Sequence, residues 1–167
     1  MTTYTARPIT PGVLKELRDV DDAGRACVPF VEGEGGSPLR CCLRRSGSGE
    51  RIALVSYAPL RRWAAGAGVE PGAYDEQGPV FVHAEECAGP EEGGGGRYPF
   101  ASPGALRVVR RYSAEGRILG GRLLDLPSTP TESLDAAFSE AFTDPGVALV
   151  HVRAVEYGCF LYEVRRP

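Results

Sequence analysis

Residues 147–164 constrain the fold of this chain more than any other stretch. Val147–Ala154 and Cys159–Val164 alternate apolar and polar residues on either side of Glu156-Tyr157-Gly158, the pattern of two strands joined by a tight turn. Glycine at the third loop position suits a type I turn closed by a left-handed residue. That loop pairs Val155 with Cys159, Ala154 with Phe160, Arg153 with Leu161, Val152 with Tyr162, His151 with Glu163 and Val150 with Val164. One face then carries Val150, Val152, Ala154, Phe160, Tyr162 and Val164, a core face; the other carries His151, Arg153, Cys159, Leu161 and Glu163. A two-residue loop would scatter the apolar set over both faces and lose burial on each, because a one-residue slip exchanges the faces.

The second face holds candidate chemistry. His151 lies across from Glu163, within the ~5 Å of a cross-strand pair, where a carboxylate orients an imidazole and raises its basicity. Arg153 beside it can grip an anionic group. Cys159 follows the glycine turn and is a candidate nucleophile, its thiolate favoured by Arg153. The plain alternative is a half-exposed sheet face with one ion pair and a buried structural cysteine.

The rest of the chain supplies the partners of this hairpin. Thr10-Pro11 reads as a cap and first helical residue for a short helix over Val13, Leu14 and Leu17. Leu39–Arg44, Arg51–Leu60 and Pro79–Glu85 read as strands. Leu106–Tyr112 and Arg117–Leu124 flank Ala114-Glu115-Gly116, a second hairpin loop. The clearest helix is Pro130–Phe142, with Thr129 as cap, Glu132 completing a capping box, and Leu134, Phe138 and Phe142 forming one apolar stripe. Short connections between adjacent strands imply antiparallel pairing. The expected class is α+β: about six mostly antiparallel strands with two helices, closure of the sheet into a barrel being one option. The chain reads as a single domain over 1–167, with residues 1–36 as a helix-and-loop arm and 37–167 as the sheet core.

At 167 residues, 43% of them hydrophobic, the chain can bury an ordinary core. Its longest apolar runs fall far short of a bilayer span. With no charged segment leading into an apolar one at the start, cytoplasmic residence is the expectation. Five cysteines (Cys27, Cys41, Cys42, Cys87, Cys159), odd in number and without CxxC spacing, argue for free thiols. Cys41 and Cys42, read on a strand, point to opposite faces. Lys15 is the only lysine among nineteen basic residues, a skew that, with the abundant Gly, Ala and Pro, suggests a high-GC, actinobacterial-type genome. Arg40–Arg62 and Arg97–Arg122 are basic stretches, while Glu70–Glu92 holds acids and no lysine or arginine. Such segregation can steer an anion, though solvated faces explain it equally. The net charge of −3 and a single aromatic residue among the arginines of the 107–122 hairpin argue against nucleic acid.

Beyond His151 the chain has one further histidine, His83, which shares a strand face with Phe81 and Glu85. A zinc or iron reading gathers His83, His151 and one or two of Cys87, Cys159 and Glu85. Spacing opposes it: on an extended strand His83 and Cys87 lie ~13 Å apart, and only a bend at Glu86 brings them together. Gly93–Gly96 lacks the Lys-Ser/Thr and helix of a phosphate loop, and Gly47-Ser48-Gly49 lacks the context of a nucleophile elbow.

The segments CCLRRSGSGERIALVSYAPL, GPVFVHAEEC and DPGVALVHVRAVEYGCFLYEVRR resemble the bacterial domain-of-unknown-function family numbered 1203. The resemblance runs from about Leu39 onward and is strongest in the final hairpin, where it favours His151 over His83. It implies a small free-standing domain and assigns no residue a role. Three functional readings follow. The first is a small-molecule enzyme, of tailoring or isomerising type. It uses His151 and Glu163 for acid–base work, with Cys159 or His83 as second participant and Arg153, Glu85 and Arg40 binding an anionic substrate. The second is a non-catalytic ligand-binding or interaction domain built on the same face. The third is the zinc or iron site. Neither a membrane partner nor a cofactor is indicated by any motif, and the oligomeric state is open.

Overall fold

The computed structural model describes residues 2–92 and 97–167, so the expectation for Gly93–Gly96 lies outside the described residues. In chain order the elements are α1 (Pro11–Leu17), β1 (Phe30–Val31), β2 (Arg51–Tyr57), α2 (Pro59–Ala67), a 3-10 turn (Gly72–Tyr74), β3 (Gly78–His83), β4 (Leu106–Ser113), β5 (Ile118–Asp125), α3 (Pro130–Ala141), β6 (Val147–Ala154) and β7 (Phe160–Arg165). The class is α+β, as expected. The strands form two separate antiparallel sheets rather than a barrel, ordered β1-β2-β3 and β5-β4-β6-β7. No helix among the described residues is long and apolar enough to cross a membrane.

The chain divides into two compact units, each assembled from discontinuous segments. One comprises Met1–Arg7, Pro59–Glu76 and Gly95–Pro167; the other comprises Pro8–Ala58 and Gln77–Gly94.

In the first unit the four-stranded sheet is covered by helices. The stripe expected on α3 is buried: Leu134 is 1%, Phe138 0% and Phe142 7% exposed. Tyr4 stacks on Phe142 at 5.6 Å between ring centroids, and Tyr98 meets Phe138 edge-on at 5.2 Å. The helix starts at Pro130, but the Thr129 side chain makes no capping bond, so the expected capping box is not formed. Proline at the first helical position, which needs no N–H partner, and the buried stripe suffice to start it. The second departure is α2. Arg51–Leu60 is not one strand: β2 stops at Tyr57 and a third helix begins at Pro59. Proline has no N–H for the ladder, yet suits a first helical turn. Leu60 and Trp63 of that helix pack against Tyr112 and Leu149.

The terminal hairpin forms with the expected register at its centre. Val150 pairs with Val164, His151 with Glu163 and Val152 with Tyr162. A β-bulge between Val152 and Arg153 then moves Arg153 onto Phe160, correcting its expected pairing with Leu161. One extra residue reverses the alternation beyond it. Phe160 therefore turns from the expected core face to His151, with ring centroids 5.0 Å apart. Tyr112 closes the other side at 4.8 Å, and His151 is fully buried.

In the second unit, β2 lies between β1 and β3, and its register sets Ile52 across from His83 and Val55 across from Val80. The expected strand Leu39–Arg44 is instead a tight turn. The Leu39 N–H donates to the Arg44 carbonyl at 2.9 Å and the Leu43 N–H to the Leu39 carbonyl at 3.0 Å. Leu43 takes a left-handed φ of 56°. Pro38 and Arg45 bridge across the turn's mouth, and the Arg40 N–H donates to the Phe81 carbonyl at 2.9 Å, fastening the turn to β3.

Candidate metal centre

That turn decides the chemistry of the second unit. Because the chain reverses at Cys41-Cys42 instead of running straight, both thiols face the same neighbour, His83 at the end of β3. The sulfurs are 4.0 Å apart, and Cys41 Sγ and Cys42 Sγ lie 3.3 and 3.8 Å from His83 Nδ1. Past His83 the chain bends at Ala84 and Glu85, just before the expected position at Glu86. The bend replaces the ~13 Å of an extended strand, and Cys87 joins the other three with all four ligand atoms within 4.8 Å of one another.

These spacings match a tetrahedral ion. Bonds of about 2.3 Å to sulfur and 2.0–2.1 Å to nitrogen give edges of about 3.8 Å for S···S and 3.6 Å for S···N. The separations among Cys41, Cys42 and His83, 3.3 to 4.0 Å, bracket those edges.

The sulfurs are prepared for charge. The His83 N–H donates to Cys41 Sγ at 3.2 Å, and the Arg44 N–H donates to the Cys42 sulfur. Cys41 Sγ also donates to Cys42 Sγ at 4.0 Å. The hydrogen bond from Cys41 brings Cys42 down to about 6 against its burial, helped by the Arg44 N–H and the charge of His83. That same bond, together with burial, pushes Cys41 up. The pair thus favours a thiolate at Cys42, and the form that binds metals is the thiolate.

The far side of the imidazole is braced as well. Glu50 Oε2 lies 3.5 Å from His83 Nε2. Arg44 holds that carboxylate through NH2 to Oε1 at 2.5 Å and NH1 to Oε2 at 3.2 Å, and the Gly47 N–H donates to Oε2 at 2.9 Å. Arg44 chiefly, then Gly47, bring Glu50 down to about 2. Arg18 Nε donates to the His83 carbonyl at 3.0 Å. A histidine that ligates through one nitrogen and donates its other N–H to a carboxylate is the usual outer-sphere arrangement of metal sites.

Apart from His83, the residues singled out from sequence as a catalytic or binding set are not members of this cluster. His151 belongs to the first unit and His83 to the second; the cluster formed among the described residues holds one histidine, His83, and three cysteines. His151 Nε2 meets Glu163 Oε2 at 3.3 Å while its Nδ1 has no partner among the described residues. Burial holds the His151 pKa low despite the carboxylate. Burial pushes Glu163 up, but hydrogen bonds from His151 and Arg165 outweigh it and leave it low. Arg153 donates Nε to the Gly158 carbonyl at 3.1 Å and approaches Glu76 at 3.8 Å. Cys159 is partly exposed, its sulfur 3.6 Å from the Tyr157 carbonyl. Glu85 is ion-paired with Arg51. Arg40 is buried and donates to the Pro38 carbonyl within the turn.

Sequence reasoning missed Cys41 and Cys42 as ligands because it placed them on a strand. A signal was present: two short-range pairs, Cys41-Cys42 and His83-x-x-x-Cys87, with donors of the right type on two segments, as zinc sites are usually assembled.

The fold is α+β, and its second unit carries a thiol–imidazole cluster. The chain belongs to the family described as "Protein of unknown function (DUF1203)", matched over residues 36–166, a span that contains all four members of the cluster. No curated protein and no solved structure matches it.

Proposed function

We propose that this is a zinc-binding domain in which Cys41, Cys42, Cys87 and His83 Nδ1 hold one ion. The observation that carries the reading is the convergence of four soft or borderline donors, with all ligand atoms within 4.8 Å of one another. Three sulfurs and an imidazole suit zinc better than magnesium, calcium or manganese, which prefer oxygen. With Cys41 and Cys42 buried, the ion would tie the 38–45 turn to the end of β3, so its binding energy would add to the stability of that unit.

Elemental analysis of the purified chain is expected to find close to one zinc per chain, lost in Cys41→Ser and His83→Ala. A chelator is expected to lower the melting temperature of the wild type and leave that of Cys41→Ser unchanged. Metal-free protein that takes up no added zinc would refute the reading.

The acid–base reading of His151 has weaker support. Its imidazole is enclosed by Tyr112 and Phe160 and kept neutral by burial, which suits an interior hydrogen bond to Glu163 better than proton exchange with a substrate.

A further inference from the structure

The four donors of the cluster are not held alike. Cys41 and Cys42 are 2% and 6% exposed, sit in a turn closed by its own backbone bonds, and each accepts a backbone N–H at sulfur. His83 ends a paired strand and is braced through its carbonyl by Arg18 and at Nε2 by Glu50. Cys87 has none of this. It lies four residues beyond β3, is partly exposed, and makes no hydrogen bond among the described residues. The last backbone tie before it is the Ala84 N–H to the Arg51 carbonyl at 3.1 Å.

Resting on the zinc reading, we propose that Cys87 is an exchangeable ligand and that its coordination position admits an external small thiol. Three fixed ligands plus one replaceable position is the arrangement that distinguishes reactive zinc sites from purely structural ones. The softness of the donor set points to a thiol as the incoming group. Zinc with two fixed thiolates is neutral, and a third thiolate leaves one negative charge. Arg44, 43% exposed at its side chain and paired with Glu50, lies 3.3 Å from His83 Nε2 at the edge of the cluster. The exchange is balanced: Cys87 leaves as thiolate and takes up a proton, while the entering thiol gives up its proton and binds through sulfur. No electrons are transferred and the charge on the zinc complex is unchanged.

The test uses the full chain loaded with cobalt(II), whose sulfur-to-metal charge-transfer absorption grows with the number of bound thiolates. Cys87→Ala is expected to bind cobalt with about two-thirds of the wild-type band, two thiolates replacing three. Adding 2-mercaptoethanol is expected to restore the band. On zinc-loaded wild type, iodoacetamide is expected to modify Cys87 with zinc retained and Cys41 and Cys42 protected. Cobalt-loaded Cys87→Ala that ignores the thiol, or zinc lost in step with Cys87 modification, would overturn the exchange while leaving zinc binding intact. Wild type that binds neither metal would instead overturn the zinc reading beneath it.

Discussion

Replacing Glu50 by alanine isolates the contribution of the group behind His83. For Nδ1 to ligate zinc, Nε2 must carry the proton, and Glu50 Oε2 at 3.5 Å is the acceptor waiting for it. Arg44 and Gly47 hold that carboxylate in place, so little ordering entropy is spent when the bond forms. Outer-sphere carboxylates of this kind contribute about 10- to 100-fold in metal affinity, which is about 1.4 to 2.7 kcal/mol. The loss belongs in the upper half of that range, because Arg44 NH2 also lies 3.3 Å from Nε2. With Glu50 gone, an unneutralised guanidinium faces an N–H, donor against donor. Glu50→Gln keeps an acceptor oxygen but not the charge that neutralises Arg44, and is expected to recover only part of the loss. Competition against a chromophoric chelator at fixed pH reads the affinity, and nitrogen NMR of the His83 ring reads which atom is bound. Wild-type affinity in Glu50→Ala, or zinc on Nε2, would refute the reasoning.

Three further outcomes follow from other parts of the molecule. Because burial depresses the His151 pKa, the unfolded chain binds the extra proton first. Stability is therefore full above the ordinary imidazole value of about 6.5 and falls as the pH drops below it. Glu163, also held low, adds a further loss beneath the ordinary carboxylate value of about 4.3. Urea unfolding across this range should show the upper slope in wild type and not in His151→Gln; an unchanged slope would contradict it. Phe138→Ala removes a fully buried ring that Tyr4 and Tyr98 meet edge-on, and is expected to cost about 3–5 kcal/mol in the same assay. A near-neutral result would mean that α3 does not anchor the core. Gly116 has φ +77°, and a Cβ there would meet Pro71 Cβ at 3.1 Å, so Gly116→Ala is expected to cost about 1–2 kcal/mol, whereas no loss would show that the turn relaxes.

Much of the fold was legible because it depends on near neighbours in the chain. The hairpin loops at Gly116 and Gly158 both place glycine at positive φ, as their spacing required. The α3 stripe at Leu134, Phe138 and Phe142 was readable from helical periodicity alone. The Thr129 cap was read equally locally and failed, since a good capping residue still needs the geometry for its oxygen to accept a backbone N–H. The bulge at Arg153 was invisible because alternation does not reveal where an extra residue enters.

The sequence by itself determined the secondary structure of the final hairpin, its central His151–Glu163 pairing and the α+β class, all consequences of period and turn chemistry over a few residues. Only the tertiary structure decided which thiols meet His83. An apolar run such as Leu39–Leu43 has no strand identity until an edge accepts it. Here its Arg40 N–H met the Phe81 carbonyl, the segment closed on itself, and Cys41 and Cys42 came to face His83. A site made of residues some forty positions apart is fixed by that contact, which no local pattern encodes.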